Sequence, residues 1–283
     1  MKLFNYTILT VLMLLIACTK SEKSVGGNVT LLVSTNVRGQ LDPCGWKKNP
    51  LGGLSRKSTY VKQLRDEGKD LVILDAGDLL FNNATLVDLQ EEADKLRANA
   101  IIKGYEIIGC DVVNVGGFDL AAGVDYLQQI VDSTKIPFIS ANIIDSKTKK
   151  NLFPPHHIIE NNGLSIGVIG LTNLIPSKIR KVKVSDFITV GKAQIAELRK
   201  QVDIVVVLVN VNRDKTELIN KEFSDADYVF LSRNTMRTRP GTEQSLNGPF
   251  TYGSNIQGKY CLLYTSDAAD DSLRVDLGGR RII

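Results

Sequence analysis

Hydrolytic, metal and redox chemistry in proteins rests on imidazoles, carboxylates and thiols, and this chain is sparing with the first and last of these. Its 283 residues include two histidines, His156 and His157, and four cysteines, Cys18, Cys44, Cys110 and Cys261. Adjacent histidines in an extended segment point to opposite faces, so the pair reads as structural, on the surface or partly buried, rather than as a shared metal site. Gly52-Gly53-Leu54-Ser55-Arg56-Lys57 has glycines suited to a phosphate-cradling loop but lacks the Gly-Lys-Ser/Thr ending of a P-loop. Cys44 lies in the turn-forming stretch Asp42-Pro43-Cys44-Gly45-Trp46, as either a rim thiol open to redox chemistry or a free structural thiol. Trp46, the one tryptophan, reads equally as packing or as a stacking surface.

These groups must be positioned by an alternation of strands and helices. The sequence predicts a strand from Asn28 to Asn36, a helix from Leu54 to Gly68, and a strand from Asp70 to Ala76 that runs into Gly77-Asp78. It continues with a helix around Val87 to Ile108, a strand from Asp111 to Val115, a helix from Val124 to Ser133 and a strand from Pro137 to Ala141. Between His157 and Leu171, two apolar runs flank Asn161-Asn162-Gly163, whose last residues tolerate positive φ, and this predicts a β-hairpin. A helix from Gly191 to Gln201, a strand from Asp203 to Val209, a helix from Asp214 to Phe223 and a strand from Tyr228 to Leu231 follow. The apolar strands and the alternation argue for one layered α/β domain over residues 28–260.

Several segments along this pattern belong together: LLVSTNVRGQL at Leu31 to Leu41, GGLSRK at Gly52 to Lys57, LDAGDLL at Leu74 to Leu80, and NVGGFDLAAGVDYL at Asn114 to Leu127. ISANI at Ile139 to Ile143, IGVIGLTN at Ile166 to Asn173, VDIVVVLVNVN at Val202 to Asn212 and ADYVFLS at Ala226 to Ser232 continue the series. In order and spacing this resembles the periplasmic 5′-nucleotidase branch of the calcineurin-like metallophosphoesterases, from Leu31 to Ser232. The resemblance implies a four-layer α/β/β/α sandwich with its active site in loops beyond the C-terminal ends of the strands. It also implies a tight turn at Gly52-Gly53, with Ser55 near a helix start. The family's chemistry uses two divalent cations about 4 Å apart, one activating water and both neutralising phosphate, held by a bridging carboxylate, imidazoles, a second Asp and an Asn.

At the implied ligand positions the chain departs from the family. Where Asp-x-His-Gly is expected stands Asn36-Val37-Arg38-Gly39, and a guanidinium cannot ligate a cation. Gly77-Asp78 is intact, so Asp78 is the one surviving ligand candidate, at the place of the bridging carboxylate. Gly116-Gly117-Phe118-Asp119 replaces Gly-Asn-His-Glu, and Phe118 cannot protonate a leaving group. Asn210 replaces the His that follows the long apolar strand, and Ser232-Arg233-Asn234-Thr235 replaces Gly-His-x-His. The expectation is that Arg38 and Arg233 converge near Asp78. There they either bind an anion such as a phosphate-bearing ligand, or form salt bridges with Asp78 or Asp119. By the same placement Cys44 lies at the site and Cys110 at the far end of a strand about 20 Å long, which disfavours a disulfide between them.

Two function classes therefore compete: a degenerate, non-catalytic binding domain without cofactors, and a metal-dependent phosphoester hydrolase with an atypical ligand set around a divalent pair. A thiol redox module on Cys44 is a third. With 43% hydrophobic and 23% charged residues the chain reads as an ordinary folded domain. Its net charge of +4 comes without interleaved basic and aromatic residues, and gives no nucleic-acid signal. Lys2 and the apolar run Ile8 to Ile16 read as a secretory leader over 1–17, too short for a membrane span of about 20 residues. Leu15-Ile16-Ala17-Cys18 resembles a bacterial lipobox, which implies a lipid on Cys18, anchoring to a membrane of the cell envelope and a short tether over 18–27. From Cys261 the tail reads as translated transposase adapter, since TGT CTC TTA TAC ACA TCT spells Cys-Leu-Leu-Tyr-Thr-Ser. Residues 261–283 are accordingly expected to be foreign to the fold, with no helix or strand pattern.

Overall fold

A computed structural model of the chain describes residues 27–45, 50–238 and 248–267. The leader, Cys18 and nearly all of the tether, Trp46, and residues 268–283 lie outside the described residues. The strands in chain order are β1 (Asn28–Ser34), β2 (Leu71–Asp75), β3 (Val112–Asn114), β4 (Phe138–Ile139), β5 (Ile143–Asp145) and β6 (His156–Asn161). They continue with β7 (Leu164–Thr172), β8 (Val182–Val184), β9 (Ile204–Val211), β10 (Tyr228–Arg233), β11 (Phe250–Gly253) and β12 (Leu262–Asp267). The helices are α1 (Leu54–Asp66), α2 (Glu91–Ile108), α3 (Val124–Asp132), α4 (Phe187–Leu198) and α5 (Thr216–Glu222).

Two five-stranded sheets form, in the orders β12-β1-β2-β3-β4 and β11-β10-β9-β7-β6, with a small β5-β8 ribbon beside them. Strands β1 to β4, and β7, β9, β10 and β11, run parallel within their sheets, and β12 and β6 are antiparallel edges. Because side chains alternate along a strand, each sheet feeds two cores. Leu31, Val33, Val72 and Leu74 face Ile166, Val168, Val206, Leu208 and Phe230 between the sheets. Leu32, Ile73 and Val113 pack outward on Val61, Leu64, Ile101, Tyr105 and Leu127 of α1, α2 and α3. Val205, Val207, Val209 and Leu231 pack on Phe187, Ile195 and Leu198 of α4, Ile219 of α5 and Phe223 at its end. Three cores between four layers are the α/β/β/α sandwich, and strands buried on both faces are why the sequence runs are unbroken apolar stretches.

Two helix starts and one strand depart most from expectation. The second helix starts at Glu91 rather than Val87, and Val87 and Leu89 are exposed in the preceding turns, where they lend no core face to a helix. The fourth helix starts early, at Phe187, because Asp186 caps it by accepting the Thr189 N–H at 2.7 Å. The tail, read as lacking any strand pattern, opens with β12 paired to β1 from Asn28↔Asp267 to Val33↔Leu262. Leu262 and Tyr264 are buried while Leu263 and Thr265 are half-buried, an alternation that the apolar Leu263 hides in the sequence. The hairpin forms as expected, with Asn162 and Gly163 at φ 47° and 81°.

The sheets are stitched together at the C-terminal ends of their strands. The Asn114 side-chain amide donates to Ala76 O on its own sheet (3.0 Å) and to Leu171 O on the other (3.1 Å). Ser232 Oγ of the second sheet donates to the same Ala76 carbonyl at 2.6 Å. Gly170 makes this approach possible: a Cβ there would lie 2.6 Å from Asn114 Oδ1 and 2.8 Å from Ile139 O. Gly170→Ala is expected to lower the unfolding free energy by about 1–3 kcal/mol, as overpacking does. Urea unfolding of the two proteins checks this.

Candidate functional site

The loops that leave β1, β2, β3, β9 and β10 meet at one end of the sandwich. Four of their residues are held in the left-handed region that side chains disfavour: Asn36 at φ 53°, Arg38 at 55°, Asp78 at 56° and Arg233 at 65°. Hydrogen bonds over-determine these conformations. Asn36 N donates to Gly77 O (3.2 Å), Arg38 N donates to Asp78 O (2.9 Å), and Arg233 N donates to Asn36 Oδ1 (2.6 Å). Asn36 completes the bridge between the two sheets by donating from Nδ2 to Asn234 O at 3.1 Å.

Asp78 is fully buried at the centre. Its Oδ1 accepts the Phe118 N–H at 2.9 Å, while Oδ2 is buried without a hydrogen-bond partner of good geometry. Asn210 accepts the Gly117 N–H (3.0 Å) and donates to Ser232 Oγ (2.8 Å), so its amide oxygen is already engaged. Gly117 has no room for a side chain: a Cβ would lie 2.3 Å from Leu174 O and 2.9 Å from an Arg233 nitrogen. Asp119 lies beneath, accepting N–H groups from Leu80 (2.8 Å), Gly116 (2.8 Å) and Asp78 (3.1 Å), and it ties the second and third loops together. Thr235 is exposed.

Arg38 and Arg233 do converge, but on Phe118. Their guanidinium carbons lie 5.0 and 4.9 Å from its ring centroid, in cation–π range. Arg233 also donates to Leu174 O at 2.8 Å, and Arg38 Nε is buried without a partner. The expected alternative, salt bridges to Asp78 or Asp119, is not what forms: among the described residues no ion pair within 4 Å joins either arginine to either carboxylate. Burial lowers the Arg38 pKa, Asp78 raises it and Arg233 lowers it further. Burial raises the Asp78 pKa, against the pull of the Phe118 N–H, Arg233, Asn210 and Arg38.

The remaining sequence candidates lie apart from this centre or play structural parts. His156 Nδ1 lies 2.8 Å from Gln194 Oε1 of α4, on the edge strand β6. Cys44 is half-buried with its thiol 3.6 Å from Gln257 Oε1; Cys110 is buried, its thiol pushed up to about 12 by burial; and Cys44, Cys110 and Cys261 are all free. Sequence reasoning missed Leu174, whose carbonyl closes on Gly117 and Arg233, and Gln257, whose N–H donates to Asn36 O at 2.7 Å. Neither carries a sequence signal, because backbone atoms or a distant loop make the contact.

Behind the site, burial raises Asp75 to about 6, against the pull of Lys57, and burial with Asp78 raises Asp119 to about 8. A carboxyl raised in the folded state binds a proton that the unfolded chain releases near pH 4, so its contribution to stability is present at low pH and lost as pH rises through the folded value. Folding stability is therefore expected to fall from about pH 4 toward pH 8. Asp75→Asn, whose amide can face a reoriented Tyr105 hydroxyl now 2.8 Å from Asp75 Oδ2, is expected to flatten the part below about pH 6. Thermal melts across this range, wild type against variant, test it.

No protein-family model matches the chain. In sequence it is 32% identical over 180 residues to a 2′,3′-cyclic-nucleotide 2′-phosphodiesterase/3′-nucleotidase of Salmonella typhimurium, covering 56% of this chain and 27% of that protein. It is 33% identical over 158 residues to a 5′-nucleotidase of Vibrio parahaemolyticus, covering 52% of this chain and 27% of that protein. The chain thus spans about a quarter of the length of the curated relatives it matches. In structure it aligns with a calcineurin-like phosphoesterase of Bacillus subtilis at TM-score 0.69 and 16% identity, over 89% of each chain. It aligns with a 5′-nucleotidase precursor of Thermus thermophilus at TM-score 0.67 and 20% identity, over 85% of this chain and 52% of that one. The chain has the calcineurin-like phosphoesterase fold, and its relatives in sequence are 5′-nucleotidases and 2′,3′-cyclic-nucleotide phosphodiesterases.

Proposed function

We propose that this domain is a non-catalytic relative of the nucleotidases that binds an anion where its relatives carry out phosphoester chemistry, and that it does so at the cell envelope, anchored through a lipid on Cys18. The observation that carries the reading is the pair of guanidiniums gathered on Phe118 at ion-pair distance from no site carboxylate. Two cations against Asp78, with Asp119 raised to about 8 and so largely protonated at neutral pH, leave the site net positive, and a guanidinium fork suits an oxyanion.

The side chains here do not fit a divalent pair. Asn36 Oδ1 and Asn210 Oδ1 are taken by backbone N–H groups, and Arg38, Gly117, Phe118 and Arg233 offer no donor to a cation. Among the described residues no three His, Cys, Asp or Glu side chains cluster to hold a metal. The second reading, a phosphoester hydrolase with an atypical ligand set, is favoured by one feature, the buried and unpartnered Oδ2 of Asp78.

Metal analysis of the purified protein, with phosphodiesterase and 5′-nucleotidase assays in Mn²⁺, Zn²⁺ or Mg²⁺, separates the two. The expected outcome is substoichiometric metal and no turnover; near-stoichiometric metal with turnover abolished by Asp78→Asn would establish the hydrolase instead. Phosphate is expected to raise the melting temperature, and Arg38→Ala to weaken phosphate binding by about tenfold, or about 1.4 kcal/mol. An equal thermal shift in wild type and variant would refute the anion site. Cys18→Ser is expected to move the protein from the membrane fraction to the soluble envelope fraction, and unchanged fractionation would refute the anchor.

A further inference from the structure

A cleft of about 210 Å³ opens beside Arg38, away from Phe118, between the first two site loops and the start of α2. Most of its polar lining is carboxamide: Gln40, Asn82, Asn83, Gln90 and Gln257. The side chains of Asn82, Asn83 and Gln90 are exposed and enter no side-chain hydrogen bond among the described residues, whereas Gln40 donates to Asp42 O at 2.8 Å and Gln257 accepts from Cys44. Leu80 and Phe81 form the buried floor.

Charge in the cleft is uneven. Asp94 and Arg97 face it together but are paired with each other at 2.6 Å, which leaves Arg38 as the unpaired charge, with a buried Nε that lacks a partner. Carboxamides present a donor and an acceptor on one rigid plane, which matches vicinal hydroxyl groups that both donate and accept. The volume corresponds to roughly seven waters at about 30 Å³ each and falls below the 300–1,000 Å³ of pockets that enclose larger ligands, so it suits one hydroxylated ring or short polyol.

We infer that the ligand of this site is a sugar-sized, polyhydroxylated anion, its charged end on Arg38 and its hydroxylated body among the carboxamides of the cleft. This rests on the anion-binding reading above and adds the chemical class of the ligand. The charged end can be a phosphate or a carboxylate, since a guanidinium fork receives either.

The test is calorimetric titration of the full chain with a hexose 6-phosphate, an aldonate, the neutral hexose and inorganic phosphate. One of the two sugar anions is expected to bind at least about tenfold tighter than inorganic phosphate, and the neutral hexose more weakly than that anion. The preferred anion identifies the charged end. Asn83→Leu combined with Gln90→Leu, both exposed positions whose replacement leaves the core intact, is expected to bring the sugar anion down to the affinity of inorganic phosphate, and to change phosphate itself less than about twofold. Equal affinities for sugar anion and phosphate, or an unaltered sugar-anion affinity in the double variant, overturn this inference and leave the anion site standing. Failure of inorganic phosphate to bind, with no effect of Arg38→Gln on any ligand, overturns both.

Discussion

The structure depends on a polar seam where the C-terminal ends of two largely parallel sheets meet. A sandwich of this kind leaves strand-end carbonyls and loop N–H groups facing one another in a buried place, and each must find a partner. Asn36, Asn114, Asn210 and Ser232 supply them, each bonding to atoms from more than one loop or strand. The left-handed backbone at Asn36, Arg38, Asp78 and Arg233 is the strained consequence, tolerated because the hydrogen bonds at both sheets fix it. Loops at such a strand end are where α/β folds place ligands, so the seam and the site occupy the same residues.

That coincidence means that side chains at these loop positions can serve the fold and a ligand site at once. The amides of Asn36 and Asn210 tie the protein to itself, each accepting a backbone N–H from another loop or strand, and so fix the loops they join. Guanidiniums at Arg38 and Arg233 place two positive charges over Phe118. Repulsion between them is moderated by Phe118, whose ring faces offer each about 0.5–2 kcal/mol, and by Asp78 at longer range.

Much of the layered fold was legible, because strands buried on both faces announce themselves as apolar runs and Asn162-Gly163 names its own turn. The start of α4 was not, since Asp186 acts by a single cap bond to Thr189 rather than by periodicity. Strand β12 was hidden by Leu263, which breaks the visible alternation. The identities of Arg38, Asp78, Phe118 and Arg233 at the site were implied by the resemblance to the 5′-nucleotidase motifs. That the arginines lie over Phe118 instead of pairing with Asp78 or Asp119 could not, because positive-φ backbone and the Leu174 carbonyl decide where they point. The cleft was equally invisible: it joins Gln40, Asn83 and Gln257, residues from segments far apart in sequence.

Soaking crystals with tungstate and with Mn²⁺, and locating each by anomalous scattering, addresses the central claim most directly. An oxyanion peak within reach of Arg38 and Arg233, with no manganese beside Asp78, is the predicted result. Two manganese peaks about 4 Å apart flanking Asp78, the spacing of a two-metal phosphoryl-transfer site, would contradict it.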